Sequence, residues 1–247
     1  MEFKDHFSAQ AKEYSRYRPG YPPELFEYLS SLVTVHNTAW DCATGSGQAA
    51  IGLAPFFKKV IATDASSSQL EHAVPHSKIE YRVAAAENSM LETGSVDLLT
   101  VATAIHWFDT DKFYREVKRV LKPGGVIAVW VYYDNMISES VDRVSAKYIN
   151  ELVENYWPAD NKRALDFENS IAFPFELITA PEFLLHMEWN LQEYLNFLYT
   201  WSSTQNYIKT NGTNPLDLIS DEFEIAWGKK EEKKDVKWKL KMKIGRV

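Results

Sequence analysis

The stretch of this 247-residue chain best equipped for chemistry is Trp40-Asp41-Cys42-Ala43-Thr44-Gly45-Ser46-Gly47-Gln48, followed by Asp64 at the end of the next apolar run. An acid closes the first run, two glycines make a tight turn, and a short Ala-containing helix begins at once. A second acid closes the run after it. Carboxylates and bare main chain at the carboxyl ends of neighbouring parallel strands build a nucleoside pocket in open α/β sheets. A carboxylate such as Asp64 can accept hydrogen bonds from both hydroxyls of a ribose. Gly45 and Gly47 let backbone approach a ligand with no Cβ in the way. Asp64, two residues before Ser66, also fits an acid that merely caps the next helix.

The elements that must hold these residues follow from periodicity. Phe3, Phe7, Ala11 and Tyr14 recur at helical spacing, and Arg16-Tyr17-Arg18-Pro19-Gly20-Tyr21-Pro22-Pro23 ends that helix. Pro22 and Pro23 start another, with Leu25, Phe26, Leu29 and Leu32 on its buried side. Strands are expected at 38–41, 59–64, 79–84, 97–103 and 126–131, and helices at 48–54, 66–73 and 111–121. Lys122-Pro123-Gly124-Gly125 should stop the last of these helices. Strands alternating with helices predict an α/β fold with a doubly wound, mainly parallel sheet.

After residue 131 the pattern changes. Polar and aromatic helical material fills 135–170, a strand is expected near 183–189, and helices at 192–201 and 217–227. Val236, Trp238, Leu240, Met242 and Ile244 then alternate with lysines, which predicts one half-buried strand with a lysine face in water. Paired with the 183–189 strand, it should form an antiparallel hairpin at the sheet edge, under a helical lid. The expected organisation is a helical flap over 1–34, a nucleoside-binding core over 35–134, a lid over 135–235, and a terminal antiparallel strand over 236–247 that completes the sheet.

Composition bounds the function. Apolar residues make up 45% and charged residues 25%, which is ordinary for a globular chain of this size. Aromatic residues reach 14%, enough for an apolar pocket as well as a core. A single cysteine, Cys42, excludes an internal disulfide and suits a reducing compartment, so a cytoplasmic protein is expected. No apolar run is long enough to span a membrane. The net charge of −7 conceals a basic tail, with nine Lys/Arg against three Asp/Glu from Gly228 to Val247. Its alternation fits a strand better than a nucleic-acid arm, and the acidic remainder speaks against phosphate-backbone binding. No His/Asp/Glu cluster has metal-ligand spacing, so no metal is expected.

Two cofactors compete for the glycine turn. Gly45-x-Gly47-x-x-Ala50 is a degenerate dinucleotide fingerprint with Asp64 near the ribose-binding distance, which allows a nicotinamide-dependent oxidoreductase. Taken from Asp41, the same turn is Asp-x-Ala-x-Gly-x-Gly, which resembles the first motif of class I S-adenosylmethionine-dependent methyltransferases, with Ala43 in place of the first glycine. Leu121-Lys122-Pro123-Gly124-Gly125, Ala104-Ile105-His106-Trp107-Phe108 and the lysine-faced terminal strand resemble later signatures of that family. Arg16-Tyr17-Arg18-Pro19-x-Tyr21-Pro22 and Thr200-Trp201-Ser202 resemble the methyltransferase-11-type subgroup that includes trans-aconitate and plant embryo-abundant-protein-like methyltransferases.

The resemblance implies a Rossmann-like, seven-stranded sheet with a reversed last strand, S-adenosylmethionine as cofactor, and in-line methyl transfer to a small molecule. It places Asp64 on the ribose, Asp41 near the cofactor's amino group, and Ala43, Gly45 and Gly47 along its methionine part. Ala65, Ala86 and Ala102 would line the site. Glu87 would stand in for the acid that usually meets adenine, or remain solvated. Arg18 on the flap would pair the cofactor's carboxylate, or be an ordinary surface arginine. Tyr14, Tyr21, His106, Trp107 and Trp201 would wall the acceptor pocket or belong to the core. A carboxylate acceptor needs no base, whereas a hydroxyl would want one, and His106 is the candidate. No Asn-Pro-Pro-Tyr-type motif follows the fourth strand, which disfavours nucleobase or glutamine-amide methylation. A noncatalytic binder of the cofactor is the remaining alternative, and the oligomeric state is open.

Overall fold

In the computed structural model, residues 19–247 are described. The expected helix over 3–14, together with Tyr14 and Arg18, lies outside them. Pro22 and Pro23 open α1 (Pro23–Ser31), which leads into β1 (Thr38–Cys42), α2 (Gln48–Leu53) and β2 (Lys59–Asp64). A single turn, α3 (Ser67–Leu70), precedes β3 (Ile79–Val83) and β4 (Val96–Ala102). Helix α4 (Thr110–Val120) then runs straight into β5 (Leu121–Val131).

The central strands carry apolar residues on both faces, so each packs against two layers. Leu98, Val126, Ala128 and Trp130 join a core with Leu25, Phe26, Ala49 and Leu53 from α1 and α2. Leu99, Val101, Ile127 and Val129 face the other way, against Phe113, Val117 and Val120 of α4. Gly52 is required where α1 crosses α2, because a Cβ there would come within 2.1 Å of the Phe26 ring.

The rest of the chain begins with β6 (Asn135–Met136) and α5 (Glu139–Lys147), followed by α6 (Ala159–Leu165) and α7 (Phe167–Ser170). Then come β7 (Glu176–Ile178), β8 (Leu184–Trp189), α8 (Leu191–Tyr199), α9 (Ser202–Asn211) and α10 (Ser220–Trp227). The chain ends in β9 (Lys234–Lys239) and β10 (Lys241–Arg246). An Asn190–Glu193 capping box fixes where α8 starts.

The large sheet has seven strands in the order β3-β2-β1-β4-β5-β10-β7, with β10 antiparallel to both neighbours. The reversed strand is therefore present, but it is not one strand over 236–244. The chain divides at Leu240, whose N–H bonds to the Phe183 carbonyl. β9 pairs with β8 in a separate three-stranded sheet, β6-β9-β8, while β10 joins the large sheet beside β5. The hairpin with the 183–189 region exists, but not at the large sheet's edge, where β7 covers β10 instead. Nor is the lysine face all in water. Lys243 donates to the carbonyls of Glu168 (2.9 Å) and Ile171 (2.6 Å) and lies over the Phe167 ring, tying α7 to β10.

Two smaller expectations also change. The helix expected over 66–73 is confined to Ser67–Leu70, because Ser66, Ser67 and Ser68 supply no apolar stripe and Pro75 follows soon after. Lys122-Pro123-Gly124-Gly125 lies inside β5 as an irregularity in its pairing with β4. Gly124 takes a positive φ there, and a Cβ on Gly125 would press on the Lys122 carbonyl.

Candidate functional site

The carboxyl ends of β1, β2, β4 and β5 converge on one edge of the large sheet, where the chain reverses through residues 43–47. Asp41 lies beneath that turn with no exposure. One of its oxygens accepts from the Thr44 hydroxyl (2.5 Å) and the other from Thr100 (2.8 Å), its register partner on β4. Burial pushes its pKa up to about 6, against the lowering effect of the bonds from Thr44, Thr100 and the Ala50 backbone. A carboxylate so enclosed shapes the turn from below and offers no exposed surface to a cofactor amino group.

The turn needs left-handed backbone at three positions, with φ of 55° at Ala43, 55° at Gly45 and 88° at Gly47. Only Ala43 carries a Cβ into that region, at a cost of about 1–2 kcal/mol. Ala43→Gly is therefore expected to raise stability by about 0.5–1 kcal/mol once the freer unfolded chain is counted. Denaturant titration checks this, and a lowered midpoint would show that the alanine methyl packs usefully. Over Gly45 the space is open, since the nearest atom to a Cβ would be the Gln69 amide oxygen at 3.8 Å. Gly47 is different. Tyr81 of β3 lies against it, so a Cβ there would fall 2.5 Å from the phenolic oxygen.

Asp64, at the end of β2, is half-buried. Its Oδ2 accepts from the Gly45 N–H (2.9 Å) and its Oδ1 from the Ser66 N–H (2.9 Å). The side chain thus fixes Ser66 at the start of α3 and clamps the glycine turn to β2.

Ala65 is exposed and Ala86 buried on the same edge, beyond β2 and β3. Glu87 accepts from the Asp109 N–H (2.9 Å) and so serves the start of α4, where Asp109 in turn caps Lys112. Ala102 ends β4 half-buried, and Thr103 follows with φ of 55°.

The turn after β4 holds His106 at 3% exposure, with Nδ1 unbonded among the described residues and the ring against Trp107 (4.7 Å). Burial, with a smaller contribution from the Arg163 charge, drives its pKa down to about 3. Trp107 is half-buried. Tyr21 packs edge-on against Trp130 of β5 (5.4 Å), its hydroxyl 3.5 Å from the Thr103 hydroxyl, so the approach to α1 does reach this edge.

Trp201 falls in an aromatic core of the helices after β5 instead, against Trp157 (5.5 Å), Phe197 (5.6 Å) and Tyr148 (6.4 Å). Much of the aromatic content is accounted for in this way, with Trp40, Trp130, Trp227 and Trp238 fully buried. Cys42 is a buried free thiol on β1. Among the described residues no group of three or more His, Cys, Asp and Glu could hold a metal, and no helix is long and apolar enough to cross a membrane.

Sequence reasoning missed Thr44 and Thr100, which hold Asp41, and Tyr81 and Arg163. The two threonines could have been suspected as hydroxyl donors near a strand-end acid. Arg163 sits in a stretch with no motif.

The family model described as a methyltransferase domain matches residues 40–129, from β1 through β5. A Dictyostelium discoideum protein classed as a methyltransferase is 34% identical over 224 residues, covering 89% of this chain and 85% of the relative. The chain belongs to the S-adenosylmethionine-dependent methyltransferases. A Saccharomyces cerevisiae protein classed among those same methyltransferases is 25% identical, covering 87% of each chain. A solved structure from Anaeromyxobacter dehalogenans, described as a type II methyltransferase, superposes with a TM-score of 0.87 at 35% identity, over 93% of this chain and 97% of that one. For this methyltransferase the nicotinamide reading of the glycine turn falls away.

The residues present fit the cofactor. A methyltransferase cradle needs an acceptor pair for ribose hydroxyls and main chain free of Cβ atoms. Asp64 and the open face of Gly45 supply these two things.

Proposed function

We propose that this methyltransferase acts on a small organic molecule and places the methyl group on oxygen, with a carboxylate as the favoured acceptor. The observation that carries the choice is His106. A buried imidazole with a pKa near 3 is neutral at physiological pH but a poor proton acceptor. A hydroxyl acceptor would need a better base, whereas a carboxylate is already ionised.

S-adenosylmethionine supplies a methyl group already activated on a sulfonium sulfur. The chain therefore has mainly to bind, orient and exclude water. Asp64 holds the ribose hydroxyls, and Ala43, Gly45 and Gly47 run along the methionine part. Ala65, Ala86 and Ala102 line the adenosine side. Asp41 acts one layer down, fixing the turn through Thr44 and Thr100. Tyr21, His106 and Trp107 border the acceptor, and the ring faces of Tyr21 and Trp107 suit a positive sulfonium. Arg18 and Tyr14 on the flap retain their expected parts, and Trp201 supports the wall from behind. The trans-aconitate and embryo-abundant-like subgroup belongs to this proposal, on the strength of the 16–22 and 200–202 segments alone.

The test is a screen with radiolabelled S-adenosylmethionine over paired carboxylic acids and alcohols. Methyl esters formed from the acids are expected. Labelling of the alcohols only, or of none of the compounds, would overturn the acceptor assignment.

A further inference from the structure

Arg163 on α6 lies beside the turn after β4 and forms no ion pair with a carboxylate among the described residues. It is half-buried, and its Nη1 donates a long bond (3.4 Å) to the His106 carbonyl. A guanidinium carries five N–H donors, so most of its capacity is unspent. Its charge is felt by both His106 and Tyr114. Helix α6 packs directly on residues 105–107.

Two further polar atoms nearby in the chain are buried and unpartnered, Trp157 Nε1 just before α6 and Asn161 Oδ1 on it, in addition to His106 Nδ1. A partly desolvated cation is costly unless something negative pairs with it. Among the described residues no carboxylate does. We infer that Arg163 is the acceptor-binding residue that pairs a carboxylate of the incoming small molecule, with His106 beside it. The inference rests on the acceptor site lying at the turn after β4, as the proposed function has it. It adds the residue that selects for negative charge, and it makes the lid helix α6 part of the binding site.

The test uses the full chain loaded with S-adenosylhomocysteine. Thermal shift and calorimetry are run with a panel of aliphatic and aromatic carboxylates, each matched with its uncharged amide. Carboxylates are expected to stabilise the wild type where their amides do not. Arg163→Gln, which keeps a polar side chain on α6 but not the charge, should weaken carboxylate binding about ten- to a hundredfold, the size of a charge-assisted pair. Its affinity for S-adenosylhomocysteine should be unchanged, which certifies the fold, and Arg163→Lys should recover part of the loss. Equal binding of acids and amides, no binding by any acid, or undiminished binding in Arg163→Gln would overturn the assignment. Loss of S-adenosylhomocysteine binding by the wild type would instead defeat the cofactor site, and this inference with it.

Discussion

Asp64→Ala is expected to weaken S-adenosylhomocysteine by about ten- to a hundredfold, the range of one or two charge-assisted hydrogen bonds. Titration calorimetry measures it directly. The same carboxylate holds the Gly45 and Ser66 N–H groups at 2.9 Å, so the variant also frees the turn that the methionine part would lie along. The apo variant should accordingly lose about 1–2 kcal/mol of folding stability. Asp64→Asn separates the two effects. Its amide oxygen can still accept from one of those N–H groups, while the charge that favours ribose donors is gone. Affinity should then fall with little loss of stability. Unchanged affinity in both variants would leave Asp64 as a structural clamp on the Gly45 and Ser66 N–H groups and nothing more.

The second large effect is on stability against pH, and its source is Asp41. Burial raises its folded pKa to about 6 from an ordinary 3.8. The folded protein thus takes up a proton more readily than the unfolded chain between those values. Stability must therefore rise as pH falls from 7 through 6 towards 4, by about 3 kcal/mol from this group, and then level off. Glu116 works in the opposite sense at lower pH. Burial raises its pKa, but bonds from Arg119 and Ser89 outweigh this and bring it down to about 2. Its contribution is present above about pH 4.5 and is lost as pH falls further.

Urea titrations at pH 7, 6 and 5 should show the rise in the wild type and a flattened curve in Asp41→Asn. Parallel curves for the two proteins would mean that Asp41 does not carry the effect. Because the proton sits under the glycine turn, cofactor affinity should also respond in this window, most clearly in comparison with Asp41→Asn.

Legibility from sequence divided along a physical line. The strands ending in Cys42, Asp64 and Ala102, and the turn between Ala43 and Gly47, were readable because each is set by neighbours a few residues away. A continuous apolar run means a strand covered on both faces, and Gly45 and Gly47 mark left-handed turns. The break at Leu240 was invisible, since the period-two pattern passes through it unchanged from Val236 to Ile244. What divides the strand is the Phe183 carbonyl, distant in sequence. Asp41 was legible as a motif acid but not as an enclosed one, because Thr100 reaches it from another strand. Trp201 illustrates the same limit. Its type suits a pocket wall, yet Tyr148, Trp157 and Phe197 make it core. Arg163 became visible only when α6 was seen to pack on the turn carrying His106.

The central claim is that the cofactor's ribose is gripped by Asp64 while its amino-acid end runs along the turn at Gly45 and Gly47. A crystal structure of the chain with S-adenosylhomocysteine tests this most directly. The two ribose hydroxyls are predicted to lie within about 2.5–3.2 Å of the Asp64 carboxylate oxygens. A nucleoside bound elsewhere, or lying over this turn with its ribose away from Asp64, would contradict it.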